Sequence, residues 1–298
     1  MDIKTYLASR RQLVDDTLTQ LLPQPGNQLD RHVESMNYSL QAGGKRVRPI
    51  LCMAAAEALL GRELGPRLLP VACALECIHT YSLIHDDLPA MDNDALRRGQ
   101  PTNHMIYGEA GAILAGDGLL TFAFELLSRD DTPDLLTADR RLRLIHLLAQ
   151  AIGPLGMVGG QALDMAAEDR PVSLAELQMI HRCKTGALIT ASVQTGSVLG
   201  QASEPHFQAL TAYAGHLGLA FQIIDDLLNV EGTPEQLGKA AGSDAHHRKA
   251  TYPALFGVDG TRKLAQESIQ AAISELAGFD RNADPLRHLA EYIYRRTY

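Results

Sequence analysis

The chain has 298 residues, 46% of them hydrophobic, enough to bury a sizeable core in one large domain or two. With 35 acidic against 27 basic side chains, a formal charge of −8 and no dense basic tail, nucleic acid is not an expected partner. Cys52, Cys73, Cys77 and Cys183 all lie in apolar helical patterns, which predicts free thiols in a reducing compartment; the N-terminus carries no signal-peptide pattern, so a cytoplasmic location is expected.

Residues 3 to 22 read as an amphipathic helix, with Leu7, Leu13, Leu18, Leu21 and Leu22 recurring among polar positions until Pro23 and Pro25-Gly26 stop it. A second helix, about 29 to 40, ends at Ala42-Gly43-Gly44. Lys45, Arg46 and Arg48 follow, ahead of Pro49 and an apolar helix over 50 to 60. Glycines and three cations just before a helix bring backbone donors and positive side chains to one place, which suits an anion. Arg46 stands where a P-loop has Ser or Thr, and a solvated basic loop is the plainer reading of the stretch alone.

A helix over about 70 to 86 packs through Val71, Ala74, Leu75, Ile78, Leu83 and Ile84. His79, seven residues before Asp86, shares its face; a lone helical histidine is more often a core residue. Tyr81 and Ser82 stand about one turn before Asp86. Asp86, Asp87, Asp92 and Asp94 then offer only hard oxygen donors, which favours Mg²⁺ over zinc or copper. The arginines that follow, Arg97 and Arg98, present planar forks suited to phosphate. On its own, the stretch also reads as a solvated acidic loop.

Residues 100 to 104 read as a loop leading to a helix over 105 to 129, whose Gly111, Gly116 and Gly118 permit close helix approach. Another helix runs from about Thr137 to Gly153-Pro154; beyond it Gln161 and Asp164 fall on one face. Ser173 and Glu176 form a capping box opening the helix that bears Lys184 and Thr185. Lys184 lies in an apolar run and needs an anionic partner. The uncharged runs 144 to 163 and 185 to 203 approach membrane-spanning length, but glycines and polar residues interrupt them, so buried bundle helices are expected.

A second acidic pair follows. Gln222, Asp225, Asp226 and Asn229 fall at i, i+3, i+4 and i+7 of an apolar helix, and burying them without partners would cost about 2 to 7 kcal/mol per group. Two acidic pairs on separate apolar helices are better explained by metal than by two solvated loops. Lys239 and Lys249 bracket the next loop; the adjacent His246 and His247 read as solvent-facing. Helices over about 260 to 278 and 285 to 294 close the chain. No strand-like alternation, repeat or low-complexity linker is evident, which predicts an all-α, single-domain bundle over residues 1 to 298 with the two Asp motifs across a central cavity.

Taken together, 83–99 and 221–229, with Gly43-Gly44-Lys45-Arg46-Val47-Arg48-Pro49, Gly160-Gln161-Ala162-Leu163-Asp164, Lys184-Thr185-Gly186 and Lys249-Ala250-Thr251-Tyr252-Pro253 in that order, resemble the motifs of the short-chain trans-prenyltransferases, the polyprenyl diphosphate synthases. The pattern is closest to the bacterial farnesyl-forming members. The resemblance implies an isoprenoid-synthase-type bundle, usually homodimeric, that uses several Mg²⁺ ions, three with substrate bound. It implies head-to-tail condensation of isopentenyl diphosphate with dimethylallyl and then geranyl diphosphate, giving farnesyl diphosphate and pyrophosphate. The residues implied for isopentenyl diphosphate are Gly44, Lys45, Arg48, His79 and Arg98; those for the allylic diphosphate are Arg97, Gln161, Lys184, Lys239 and Lys249. Asp86, Asp87, Asp92, Asp164, Asp225 and Asp226 would hold metal, Thr185 and Gln222 would stabilise the allylic cation, and Tyr81 with Ser82 would form the floor that limits chain length. Asn229 departs from the family, which usually has a third Asp there, and removes one negative charge from the metal set. Geranyl- or geranylgeranyl-forming synthases, a terpenoid cyclase and a non-catalytic partner subunit are the alternatives.

Overall fold

The computed structural model describes residues 1–26, 28–129, 136–168, 170–231 and 251–295. Their helices are α1 (Ile3–Leu21), α2 (Asp30–Gln41), α3 (Val47–Leu60), α4 (Leu69–Asp86), α5 (Asn103–Ser128), α6 (Ala138–Ile152), α7 (Met157–Ala166), α8 (Leu174–His181), α9 (Ala187–Leu199), α10 (Glu204–Glu231), α11 (Tyr252–Glu275) and α12 (Asp284–Arg295). A single π-helical turn, Arg182–Gly186, joins α8 to α9. The fold is all-α; strand structure among the described residues is one two-residue ladder, β1 (Leu96–Arg97) against β2 (Gln100–Pro101).

Two compact units interleave along the chain. The first comprises Leu7–Ile50 and Gly65–Ile145, the second Met1–Tyr6, Leu51–Leu64 and His146–Tyr298. In the first unit α2, α4 and α5 pack on one another. The apolar faces of α4 go almost all round it, so it lies in the middle, with Cys73, Leu75, Cys77 and Ile78 fully buried. The His85 ring lies against Gly116, where a Cβ would come within 2.1 Å of its Nε2, so α4 and α5 approach closely only because that residue has no side chain. In the second unit α10 packs against α9 and α11. The four cysteines are free thiols, three of them buried.

Local chemistry accounts for the element boundaries. The Ser173 hydroxyl accepts from the Glu176 N–H at 3.3 Å and the Glu176 carboxylate accepts from the Ser173 N–H at 3.0 Å, so the expected capping box is present. Two expectations are corrected. The helix predicted from Gly260 begins at Tyr252, because Pro253 occupies its first turn, where the missing N–H costs nothing, and the chain kinks at Gly257 (φ 67°) before continuing. The segment after the acids, expected as plain loop, is a tight hairpin whose turn residues Arg98 (φ 55°) and Gly99 (φ 77°) both adopt the left-handed conformation of a two-residue turn.

Three helical stretches, Pro66–Asp86, Asn103–Ser128 and Ala138–Ala166, are long and apolar enough to cross a membrane by length and composition. The run 144 to 163 is interrupted at Gly153-Pro154 as expected, α6 ending at Ile152 and α7 beginning at Met157, but the expectation of buried helices is corrected there, since 28% of the Ala138–Ala166 window is buried.

Candidate active site

In the first unit α4 ends at Asp86, and the chain then turns back on itself. The Asp92 N–H donates to the Asp86 carbonyl at 2.9 Å, while Met91 and Asn93 donate to the Leu88 carbonyl at 2.8 and 3.1 Å. The inserted residues therefore form a closed loop that returns Asp92 to the end of the helix beside Asp86. Asp87 turns the other way. It is 3% exposed, and both of its oxygens receive the Arg97 fork, with Arg97 Nε at 2.8 and 2.9 Å. Burial works against the Arg97 charge, but Asp87, Asp86 and Asp94 outweigh it and hold Arg97 above its ordinary value. Of the acids expected at a metal, Asp86 and Asp92 thus share one loop, and Asp87 is engaged by an arginine.

The hairpin β1–β2 carries Arg97 and Arg98, and α2 fixes its base. The Tyr38 hydroxyl donates to the Pro101 carbonyl at 2.7 Å, and the Thr102 hydroxyl donates to the Asp94 carbonyl at 2.7 Å. Buried Asn103 donates to the Ser35 carbonyl at 2.9 Å and the Ser39 hydroxyl at 2.8 Å, and accepts from the Ser35 hydroxyl at 2.9 Å. Sequence reasoning missed these anchors; the only signal was polar residues inside the predicted helix 29 to 40. They surround a cavity of about 30 Å³ that reaches Arg97 and Arg98 from behind.

The Gly43-Gly44 turn lies against the tip of this hairpin. Arg98 Nη1 donates to the Gly43 carbonyl, and a Cβ on Gly44 (φ +145°) would meet the Arg98 guanidinium within 2.7 Å, so the glycine makes the approach possible. The three cations after the glycines are not equivalent. Arg46 is buried and donates to Glu76 at 2.9 Å, to Asp15 at 2.7 Å and to the Leu40 carbonyl at 2.6 Å, and those carboxylates hold it above its ordinary value against the effect of burial. Arg48 is half-buried by surface area, but its Nε finds no hydrogen-bond partner among the described residues. Burial lowers it to about 10, with Glu76 opposing and Arg98 adding to the fall. Burial, then Arg46, Arg97 and Arg11, likewise lower Arg98 against the pull of Glu76. His79 is held well below its ordinary value, first by burial and then by Arg48, Arg98, Arg97 and Arg46, so it is a neutral ring among cations. Arg48, Arg98 and His79, expected to share an anion, are therefore brought together with more positive charge than the nearby carboxylates balance.

Tyr81 is buried, with its ring edge-on to His85 at 5.8 Å between centroids. Burial and Asp86 push its hydroxyl up to about 12. The neighbouring Ser82 hydroxyl is turned back on its own helix and donates to the His79 carbonyl at 2.9 Å.

In the second unit, the π turn holds Lys184 and Thr185 between two glycine contacts. A Cβ on Gly160 of α7 would lie 2.2 Å from the Lys184 nitrogen, and one on Gly218 of α10 would lie 3.2 Å from the Gly186 Cα. A π turn inserts one extra residue per turn and often marks a functional position. Here it puts Lys184 beside Asp164, with Nζ to Oδ2 at 2.7 Å. One turn earlier on α7, the Gln161 Nε2 is buried with no hydrogen-bond partner among the described residues, a donor in want of an acceptor. On α10 the expected single polar face splits by burial. Asp225 is exposed and Gln222 half-buried, while Asp226 and Asn229 are 7% and 5% exposed. Asp226 accepts from the Tyr252 N–H at 2.8 Å and so caps α11.

Lys239, Lys249, His246 and His247 lie outside the described residues. Among the described residues no three His, Cys, Asp or Glu side chains converge as a closed metal cage. Paired carboxylates at a helix end are nonetheless hard oxygen donors of the kind that suits Mg²⁺.

A family model described as polyprenyl synthetase matches residues 30–285. Farnesyl diphosphate synthase of Geobacillus stearothermophilus is 46% identical over 298 residues, covering 100% of this chain and 99% of that one. Geranylgeranyl diphosphate synthase of Cyanophora paradoxa is 47% identical over 297 residues, covering 99% and 97%. The crystal structure of an FPP/GFPP synthase from Zymomonas mobilis superposes with a TM-score of 0.86 at 40% identity, covering 98% of this chain and 99% of that one.

Proposed function

The chain belongs to the polyprenyl synthetase family and is a prenyltransferase of the helical isoprenoid-synthase fold; from that premise we propose that it condenses isopentenyl diphosphate with dimethylallyl and then geranyl diphosphate to give farnesyl diphosphate. The observation that carries this reading is the under-balanced cation cluster of Arg48, Arg98 and neutral His79 in the same unit as the Asp86–Asp92 loop. An anion held by cations alone, apart from an acidic set, is what a second diphosphate substrate requires. A terpenoid cyclase has a single diphosphate and no use for it.

In this reading Lys45, Arg48, His79 and Arg98, with the Gly44 backbone, hold isopentenyl diphosphate. Arg97, Gln161, Lys184, Lys239 and Lys249 bind the allylic diphosphate, whose oxygens satisfy the orphaned Gln161 amide. Mg²⁺ at Asp86, Asp92 and Asp225 would supply the charge that lets the carbon–oxygen bond of the allylic diphosphate ionise. Asp164 orients Lys184, Asp87 holds Arg97 in place, and Asp226 holds the start of α11. Thr185 and Gln222 turn their dipoles to the allylic cation, and apolar side chains keep water from quenching it. The double bond of isopentenyl diphosphate attacks, and departing pyrophosphate takes the proton, so no histidine base is needed. Neutral His79 fits that account, since it serves as a hydrogen-bond partner.

We assign the whole chain to one such domain, acting in the cytoplasm as a homodimer with no membrane span. The burial of 72% of the Pro66–Asp86 window supports the last point for that helix. Buried Tyr81 as the floor supports a fifteen-carbon product. Purified protein with Mg²⁺, dimethylallyl diphosphate and excess isopentenyl diphosphate, its products dephosphorylated and sized, tests the proposal. A dominant fifteen-carbon alcohol is expected. A ten- or twenty-carbon product would remove the role of Tyr81, and absence of condensation would remove the activity.

A further inference from the structure

The cation cluster has a member that no motif names. Arg11 belongs to α1, ahead of the 30–285 stretch that matches the family. Its Nη2 lies 3.9 Å from the point where a Gly43 Cβ would stand, and the carbonyl of the same Gly43 accepts from Arg98 Nη1. Two guanidinium groups, one from α1 and one from the hairpin, thus flank one glycine turn. Bringing like charges together costs free energy, which a bound anion would repay.

The carboxylates nearby do not supply that compensation in full. Asp15 reaches Arg11 Nε at 3.5 Å, and its other oxygen takes the shorter 2.7 Å contact from Arg46. Glu76 is paired with Arg46 at 2.9 Å. Asp15 and Glu76 therefore face Arg11, Arg46, Arg48 and Arg98, and Arg46 takes the close contact with each. The half of the Arg11 fork that is left, its Nη edge, is directed to the Gly43 side where Arg98 sits. The side chain is 52% exposed, so it is accessible to a soluble ligand. Arg11 also contributes, after burial, Arg46 and Arg97, to the lowering of Arg98.

We propose that Arg11 is a further binding residue for the diphosphate of isopentenyl diphosphate, contributed by α1 to the turn at Gly43 and Gly44. The assignment rests on the reading that Arg48, Arg98 and His79 form that substrate's site. A diphosphate seated on Arg48 and Arg98 lies at the mouth of the turn, where the Arg11 fork can close on its outer oxygens in the two-pronged manner that arginine provides and lysine does not. The helix would in this way become a wall of the site, and a chain lacking the α1 turn around Arg11 would keep its acidic motifs and lose affinity for one substrate.

The test is Arg11→Gln, with Arg11→Lys beside it, in the full chain. Isopentenyl diphosphate binding is measured by calorimetry, and KM is measured separately for isopentenyl and geranyl diphosphate. The expected result is about a tenfold rise in Kd and KM for isopentenyl diphosphate, about 1.4 kcal/mol. KM for geranyl diphosphate and the melting temperature should stay unchanged, and Arg11→Lys should recover only part of the loss. An unchanged KM for isopentenyl diphosphate in Arg11→Gln overturns the proposal while the wild type still condenses; so does an equal rise in both KM values. A wild-type protein that neither binds nor consumes isopentenyl diphosphate overturns instead the reading beneath it.

Discussion

Replacing each acid of the second Asp pair separates two roles that the sequence assigns to both. Asp226 is 7% exposed and accepts the Tyr252 N–H at 2.8 Å, while its neighbour Asp225 is exposed. Asp226→Ala removes a charged acceptor from the first turn of α11. Hydrogen bonds to charged groups are worth about 1.5–3 kcal/mol and helix caps about 0.5–2 kcal/mol, and these describe one contact, so about 2 kcal/mol is the expected loss. For 298 residues, at about 2.1 cal/mol/K of unfolding entropy per residue, that is a fall in melting temperature of about 3 °C. Asp226→Asn keeps an oxygen in place and should recover most of it, since asparagine caps as well as aspartate. Asp225→Ala should stay within about 0.5 kcal/mol of wild type in stability and lose at least about a hundredfold in kcat. Thermal melts by circular dichroism and steady-state turnover give both numbers. Unchanged melting of Asp226→Ala together with a kcat loss as large as that of Asp225→Ala would refute the division and return Asp226 to the reacting groups.

Gly160→Ala places a methyl 2.2 Å from the Lys184 backbone nitrogen, so α7 or the π turn must move; a loss of about 1–3 kcal/mol with a fall in kcat is expected, by melt and turnover, and an intact kcat would show that the π-turn geometry is immaterial. His79 has its pKa lowered on folding by burial and by the arginines around it. The unfolded chain then binds the proton more readily, and stability, complete above about pH 6.5, falls as pH drops through the unfolded value toward the folded one. His79→Gln should flatten that acid limb in urea midpoints taken from pH 8 to pH 5, and an unaltered limb would show that other groups carry it. Asn229→Asp adds a negative charge at a residue 5% exposed, so it should lower the melting temperature while reducing the Mg²⁺ needed for half-maximal rate; a metal titration superposing on wild type would place Asn229 outside the metal set.

Much of the helical structure was legible because it depends on local pattern. The apolar periodicity of α4 and the Ser173–Glu176 box are readable from a few residues. The rest depended on partners distant in sequence. Nothing around Arg46 distinguishes it from Arg48, yet Asp15 and Glu76 bury one and leave the other short of acceptors. The π turn depends on Gly160 and Gly218, twenty and more residues away from it, and the hairpin strands are too short to alternate. Arg11 sits in a helix with no motif and acquires meaning only from its nearness to Gly43.

The same division recurs in both acidic pairs. In each unit the second acid turns inward and is tied to a donor of the scaffold, Asp87 to the Arg97 fork and Asp226 to the Tyr252 N–H. The first acid, Asp86 or Asp225, is left more accessible at the same helical turn. In the proposed mechanism the first acid takes up the metal, and the anchored neighbour helps to fix its direction. Burial makes that adjacent acid rigid, since leaving it without its donor would strand a charge in the interior. Two consecutive aspartates therefore need not be two ligands. One can be the mount and the other the tool, and which is which is decided by the side of the helix that the neighbouring elements cover.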